Sequence, residues 1–135
     1  MISVNYINRV IYADTDMMGR VYYGRFYEYF EAARSHLLRE LGLPYSEIEK
    51  AGYFLPVIES HCEYKNPAEF EDELTIKTIL SSKPRSTLKV EYEVLKGEDI
   101  VALGYTIHTF VNHSGKPVRP PASFLKALEK HWVNE

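Results

Sequence analysis

Two spacings of apolar residues run along this chain, and the switches between them divide it into elements. Ser3 to Tyr12 is rich in Val, Ile and Tyr and predicts a strand. From Gly24 to Leu41 the spacing changes. Phe26, Phe30, Ala33, Leu37 and Leu41 recur every three or four residues, which places them on one face of a helix. Gly42 and Pro44 end that pattern, and a shorter helical piece is expected from Pro44 to Ala51. Phe54 to Lys65 reads as extended and runs into "NPAEFEDE", a turn-rich bend. Then period two takes over. Leu74, Ile76 and Thr78 alternate with Thr75 and Lys77, and Leu88, Val90, Tyr92 and Val94 alternate with Lys89, Glu91 and Glu93. That is the signature of strands with one buried and one wet face. "KGED" turns into "IVALGYTIHTFVN", the loop "HSGKPVRPP" follows, and Ser123 to Trp132 predicts a terminal helix.

The order is strand, long helix, then four strands, the last three joined by short connections that predict an antiparallel meander. An early helix must cover one face of a five-stranded antiparallel sheet, an α+β arrangement. Its broad apolar content predicts that the sheet wraps around it and that a second subunit covers the remainder.

Composition narrows the function classes. A length of 135 residues fits one domain, 1–135, with one core. A net charge of −3 gives no basic footprint for nucleic acid. No apolar run reaches the roughly 20 residues of a membrane helix, so no membrane insertion is expected. "MISVNYINRVIY" lacks the charged-then-apolar order of a signal peptide. The lone Cys62 excludes an internal disulfide and fits a reducing cytoplasm. None of the five histidines stands at a ligand spacing, so no metal and no cofactor is expected. There is no G-x-S-x-G to suggest a serine hydrolase.

The chemistry concentrates in "YADTDMMGRVYYGRFYEYFEAAR", Tyr12 to Arg34. Two carboxylates, Asp14 and Asp16, precede a helix whose first turn offers free N–H groups and a partial positive charge. Aspartates in that place are commonly caps or Asx-turns worth about 1 kcal/mol. For Asp14 that structural role is the expectation. Gly19 lets the connecting loop turn sharply.

This stretch resembles the opening motif of the hotdog-fold acyl-CoA thioesterases of the 4-hydroxybenzoyl-CoA thioesterase and YbgC type. Asp14, Asp16, Gly19, Val21, Tyr22, Tyr23, Glu31, Ala33 and Arg34 fill its places. "YKNPAEFEDELTIKT" and "GKPVRPP" resemble later blocks of the family, so the similarity runs from about residue 6 to residue 125. It implies a curved sheet wrapped around a central helix, homodimers and often homotetramers, and hydrolysis of acyl-CoA thioesters at the subunit interface. The family's catalytic aspartate falls on Asp16. Many members carry His where this chain has Tyr23, so the role there passes to backbone N–H groups. Those of Tyr23 and Gly24 would form the oxyanion hole.

Asp16 acts either as nucleophile or as general base; a thiolate leaves well enough for both. Substrate contacts are expected from Gly19, Val21, Tyr22 and Tyr27. The basic loop residues Lys83, Arg85 and Ser86 are candidates for the CoA phosphates, with a solvated turn as the plainer alternative, and Lys116 and Arg119 are similarly placed. Tyr22, Tyr23, Tyr27 and Tyr53 either shape the acyl pocket or pack a subunit interface. Glu31 and Arg34 are expected as a surface pair on the helix. The competing function is a non-catalytic acyl-CoA or acyl-carrier-protein binding module on the same fold. A dehydratase would want a paired His and acid near the helix, which this chain lacks.

Overall fold

The computed structural model describes residues 1–134. Its elements are β1 (Ile2–Arg9), a 3₁₀ turn (Tyr12–Asp14), α1 (Arg25–Glu40), α2 (Tyr45–Lys50), β2 (Val57–Tyr64), β3 (Glu73–Leu80), β4 (Thr87–Lys96), β5 (Asp99–Thr109) and α3 (Ala122–His131). The strands form one antiparallel sheet in the order β1-β3-β4-β5-β2. β3, β4 and β5 are the expected meander. The chain leaves β1 at one edge, crosses under the sheet as α1, and returns as β2 at the other edge. This is the hotdog arrangement, and the elements match the expected ones within a few residues.

The stripe on α1 drives the packing. Phe26, Phe30, Ala33, Leu37 and Leu41 are all buried, with Tyr29 and Leu38 beside them. Each large side chain so buried contributes roughly 1.5–3 kcal/mol. The helix ends in a Schellman motif: Leu43 N–H donates to the Leu38 carbonyl at 2.8 Å and Gly42 N–H to Arg39 at 3.0 Å. From the sheet, Leu74, Ile76, Leu88, Val90, Tyr92 and Val94 face this stripe from alternate positions.

Phe30 packs directly on the sheet. Its ring stacks on Tyr92 with centroids 4.3 Å apart and planes 7° from parallel. Gly104 pairs with Tyr92 across the ladder. A Cβ on Gly104 would stand 2.6 Å from both the Phe30 ring and the His61 carbonyl oxygen. Only glycine admits the ring there.

A buried polar chain crosses the same layer. Arg34 Nη1 donates to the Tyr92 hydroxyl at 3.0 Å, Tyr92 meets Thr106 Oγ1 at 2.7 Å, Thr106 meets His108 Nε2 at 2.8 Å, and His108 Nδ1 meets the Leu55 carbonyl at 3.0 Å. The two ends orient every bond. A carbonyl only accepts, so Nδ1 carries the ring proton, and a guanidinium only donates. Neutral His108 therefore accepts from Thr106, Thr106 from Tyr92, and Tyr92 from Arg34. Burial pushes the His108 pKa down to about 4; the Leu55 carbonyl opposes that and the Arg34 cation adds to it.

Because the folded imidazole protonates only near pH 4 and the unfolded one near its ordinary 6.5, the unfolded chain binds more protons between those values. Stability is therefore complete above about pH 6.5 and is lost as pH falls toward 4, by an amount on the order of 3 kcal/mol. Urea unfolding at pH 7.0 and 4.5 should show that loss, and His108→Gln should remove most of the difference. An unchanged midpoint in the wild type would contradict a neutral buried His108.

Candidate active site

The loop between the 3₁₀ turn and α1 folds on itself around Asp16. Asp16 N–H donates to the Arg20 carbonyl at 2.8 Å, and Gly19 N–H to the Asp16 carbonyl at 3.0 Å. Gly19 closes this turn at φ +77°, where a side chain would be strained. Asp16 Oδ1 accepts from Met18 N–H at 2.9 Å and from Arg20 N–H at 3.2 Å. Among the described residues no donor is placed on Oδ2.

This loop leans on the segment before β3. Val21 N–H donates to the Ala68 carbonyl at 2.8 Å, and Arg20 bridges Glu69. That segment is anchored in turn by Asp72, which accepts from Glu69 N–H at 2.8 Å and pairs with Lys96 at 3.0 Å. Burial pushes the Asp72 carboxyl up, but the Glu69 N–H and the Lys96 ammonium outweigh it, so it stays below the usual aspartate value.

Asp14 departs from its expected role. It caps no helix, since Gly24 holds the N-cap position of α1 with no side-chain bond. The Asx geometry belongs to Asp16 instead. Asp14 is buried, accepts from the Tyr29 hydroxyl at 2.8 Å, and lies 3.7 Å from Arg25 Nε. Its carbonyl takes Tyr22 N–H at 2.8 Å. Burial, and then the Asp14 carboxylate, push the Tyr29 hydroxyl well above its ordinary pKa. Asp14 is thus a tertiary clasp between the loop and the first turns of α1.

At the helix mouth the N–H groups of Arg25, Phe26 and Tyr27 are taken by the carbonyls of Tyr22, Tyr23 and Gly24. Among the described residues no acceptor is placed on the N–H of Tyr23 or Gly24. A cleft of about 370 Å³ opens here, lined by Asp16, Arg20, Val21, Tyr23, Phe26 and Tyr64, with Lys65 and Asn66 at its rim. The Tyr64 hydroxyl donates to the Tyr23 carbonyl at 3.3 Å. Asp16 and Tyr23, the central sequence candidates, therefore share one cleft. Tyr64, Lys65 and Asn66 escaped sequence reasoning. Only the antiparallel placement of β2 beside α1 brings them there.

The remaining candidates scatter. Tyr22 packs against Tyr23 at a tilt of 43°, with centroids 4.7 Å apart, outside the cleft wall. Tyr27 lines a neighbouring hollow of about 360 Å³ with Glu31, Arg34, Val57, Ser60 and Thr106. Tyr53 packs on the core. Glu31 and Arg34 do not pair, because Arg34 turns inward to Tyr92. Lys83, Arg85 and Ser86 sit beyond the far end of β3, whose eight residues span roughly 26 Å, so within one chain they do not approach Asp16. Lys83 is held by Glu129 at 2.8 Å and lies over the Trp132 ring. Arg85 and Ser86 line an open cleft with Arg119, so the two basic loops lie side by side.

Among the described residues no helix is long and apolar enough to cross a membrane, and no group of metal-ligating side chains converges.

Comparison with known proteins follows the same lines. Residues 10–128 match the model of the thioesterase-like superfamily. A putative esterase from Aquifex aeolicus is 34% identical over 124 residues, covering 92% of this chain and 96% of that protein. An acyl-CoA thioester hydrolase, YbgC of Escherichia coli, is 29% identical over 91 residues, 67% of this chain and 68% of its own length. The crystal structure of a DHNA-CoA thioesterase from Staphylococcus aureus superposes with a TM-score of 0.90 at 27% identity, covering 96% of this chain and 91% of that one.

The clasp gives a direct expectation. Asp14→Asn should lower stability by about 1.5–3 kcal/mol, the range for a buried hydrogen bond to a charged group. Tyr29→Phe should add little on top of it. Fully additive losses in denaturant titrations of the double variant would show that the two side chains do not act together.

Proposed function

The chain belongs to the thioesterase-like superfamily, and from that premise we propose that it hydrolyses acyl-CoA thioesters with Asp16 as the reacting carboxylate. The observation that carries this is the shared cleft. It combines a carboxylate held through Oδ1 with its Oδ2 uncommitted, and Tyr23 at a helix N-terminus, whose N–H, like that of the adjacent Gly24, has no protein acceptor among the described residues.

A thioester carbonyl seated in the cleft points its oxygen at the N–H groups of Tyr23 and Gly24. Negative charge that develops there is stabilised by the two donors and by the helix dipole. Each such donor typically contributes about a hundred- to a thousandfold in rate. Asp16 Oδ2 then follows one of two courses. It attacks the carbonyl carbon, the C–S bond breaks and CoA thiolate departs, leaving a mixed anhydride that water cleaves to the acid and the regenerated carboxylate. Alternatively it takes a proton from water, which attacks in its place. Val21 in this cleft and Tyr27 in the hollow beside it border the path of the acyl group.

The edge strand supports a homo-oligomer. β2 is exposed along nearly its whole length, including Val57, Ile58 and Tyr64, and its outer edge carries unpaired backbone groups. A long apolar edge is an aggregation hazard unless it is covered. Antiparallel pairing of β2 with its copy across a twofold axis covers it and closes the cleft beside Tyr64. In such a dimer, or a tetramer built from it, the CoA phosphates reach Lys83, Arg85 and Ser86 of a neighbouring chain. The setting is cytoplasmic.

Asp16→Asn should retain the fold and lose at least about a hundredfold in kcat/KM on a panel of acetyl-, butyryl-, decanoyl-, palmitoyl- and hydroxybenzoyl-CoA. Thiol release at the wild-type rate from that variant would remove Asp16 as the reacting carboxylate, and background release from both proteins with CoA esters still bound would move the protein to the binding class. Light scattering of the wild type should give a dimer or tetramer mass. A monomer at micromolar concentration would remove the β2 interface.

A further inference from the structure

A second cavity lies deeper, between the C-terminal half of α1, the sheet and α3, and the chemistry described so far makes no use of it. Its volume is about 250 Å³. Leu37, Leu38, Leu80, Leu88, Val90 and Phe124 make an apolar wall, and Arg34 and His108 line it together with Glu31, Ser35 and Tyr45. An apolar cavity of about 150 Å³ already holds benzene, so this one has room for a ring or a chain of several carbons.

Arg34 and His108 are not equivalent. Both nitrogens of His108 are occupied, one by Leu55 and one by Thr106, and the ring is neutral. Arg34 differs. It is a half-buried guanidinium whose single hydrogen bond goes to Tyr92, with no carboxylate within 4.0 Å among the described residues. Every acceptor farther along the chain of bonds is already taken, so Arg34 has several N–H donors left. It borders both this cavity and the open hollow along the α1–β2 seam. A cation kept half out of water beside an apolar space, with Glu31 on the same lining but more than 4.0 Å away, is complementary to an anion carrying an apolar tail.

We propose that this cavity binds a medium-length apolar carboxylate, with Arg34 holding the carboxylate and the leucine-rich wall holding the tail. Two sources share that chemistry. One is a free carboxylic acid, the class of molecule that thioester hydrolysis releases. The other is the distal carboxylate of a dicarboxylic acyl thioester, and this source alone rests on the thioesterase function proposed above.

The test uses the full chain and two arms. Calorimetric titration with octanoate and with 1-octanol compares the same tail with and without charge. Octanoate should bind about tenfold or more tighter, the difference that one charge-assisted hydrogen bond makes, and Arg34→Met should erase it. Arg34→Gln, which keeps a donor for Tyr92 but no charge, gives the same readout if the methionine variant does not fold. In the second arm, 7-carboxyheptanoyl-CoA and octanoyl-CoA are compared as substrates. A kcat/KM preference for the former that Arg34→Gln abolishes assigns the cavity to the substrate's distal end. Arg34-dependent octanoate binding without that preference assigns it to the free acid. If neither thioester is cleaved, the dicarboxylic source is ruled out, the wider thioester panel decides the hydrolase proposal by itself, and the octanoate titration still decides this one. No charge preference in either arm, or a preference untouched in the Arg34 variants, overturns the proposal.

Discussion

The flat contact of Phe30 on Tyr92 sets the depth at which α1 lies in the sheet. It exists because Gly104, on the strand beside Tyr92, has no side chain to lift the ring. With the helix seated that low, Arg34 reaches the Tyr92 hydroxyl and Tyr29 reaches Asp14, both from helix positions next to the apolar stripe. The N-terminus of α1 is brought to the Asp16 loop by the same seating. A methyl group at Gly104 would therefore disturb more than local packing, because the helix carries its polar contacts with it.

Polar burial in this molecule is organised by direction. In the chain from Arg34 to Leu55 each hydroxyl gives its one proton forward and accepts from behind, so the interior groups are matched by order as well as by number. The chain joins α1, the β4–β5 hairpin and the approach to β2. It ties the entry of the edge strand to the helix at a place where apolar contacts alone would leave more freedom.

Much of the fold was legible in the residues. The stripe from Phe26 to Leu41 and the alternation at Leu74–Thr78 and Leu88–Val94 are direct images of burial, so periodicity located those elements. β2 was legible only as extended chain, because a strand exposed on both faces leaves no period-two pattern to mark its facing. At the site, the Asp-x-Asp block and the helix mouth were found, but the bonds that hold the two aspartates were not. Whether a carboxylate caps its own turn or clasps a tyrosine fifteen residues away depends on loop geometry that spacing does not encode. Arg34 was misjudged for a related reason. A residue beside the stripe can lie on water or reach across to a strand, and only the depth of the helix decides. The basic loop at Lys83–Ser86 showed suitable chemistry, and a strand's length then separated it from Asp16.

The Asp16 carboxylate is oriented by N–H groups from its own turn, those of Met18 and Arg20, while the walls of the hollows beyond belong to α1, β2 and the sheet. Holding the charged group and shaping the space around it are thus tasks for different stretches of chain. Drift in the wall residues can redraw which molecules fit without tilting the carboxylate. A lineage carrying this loop is free to change its diet while keeping its teeth.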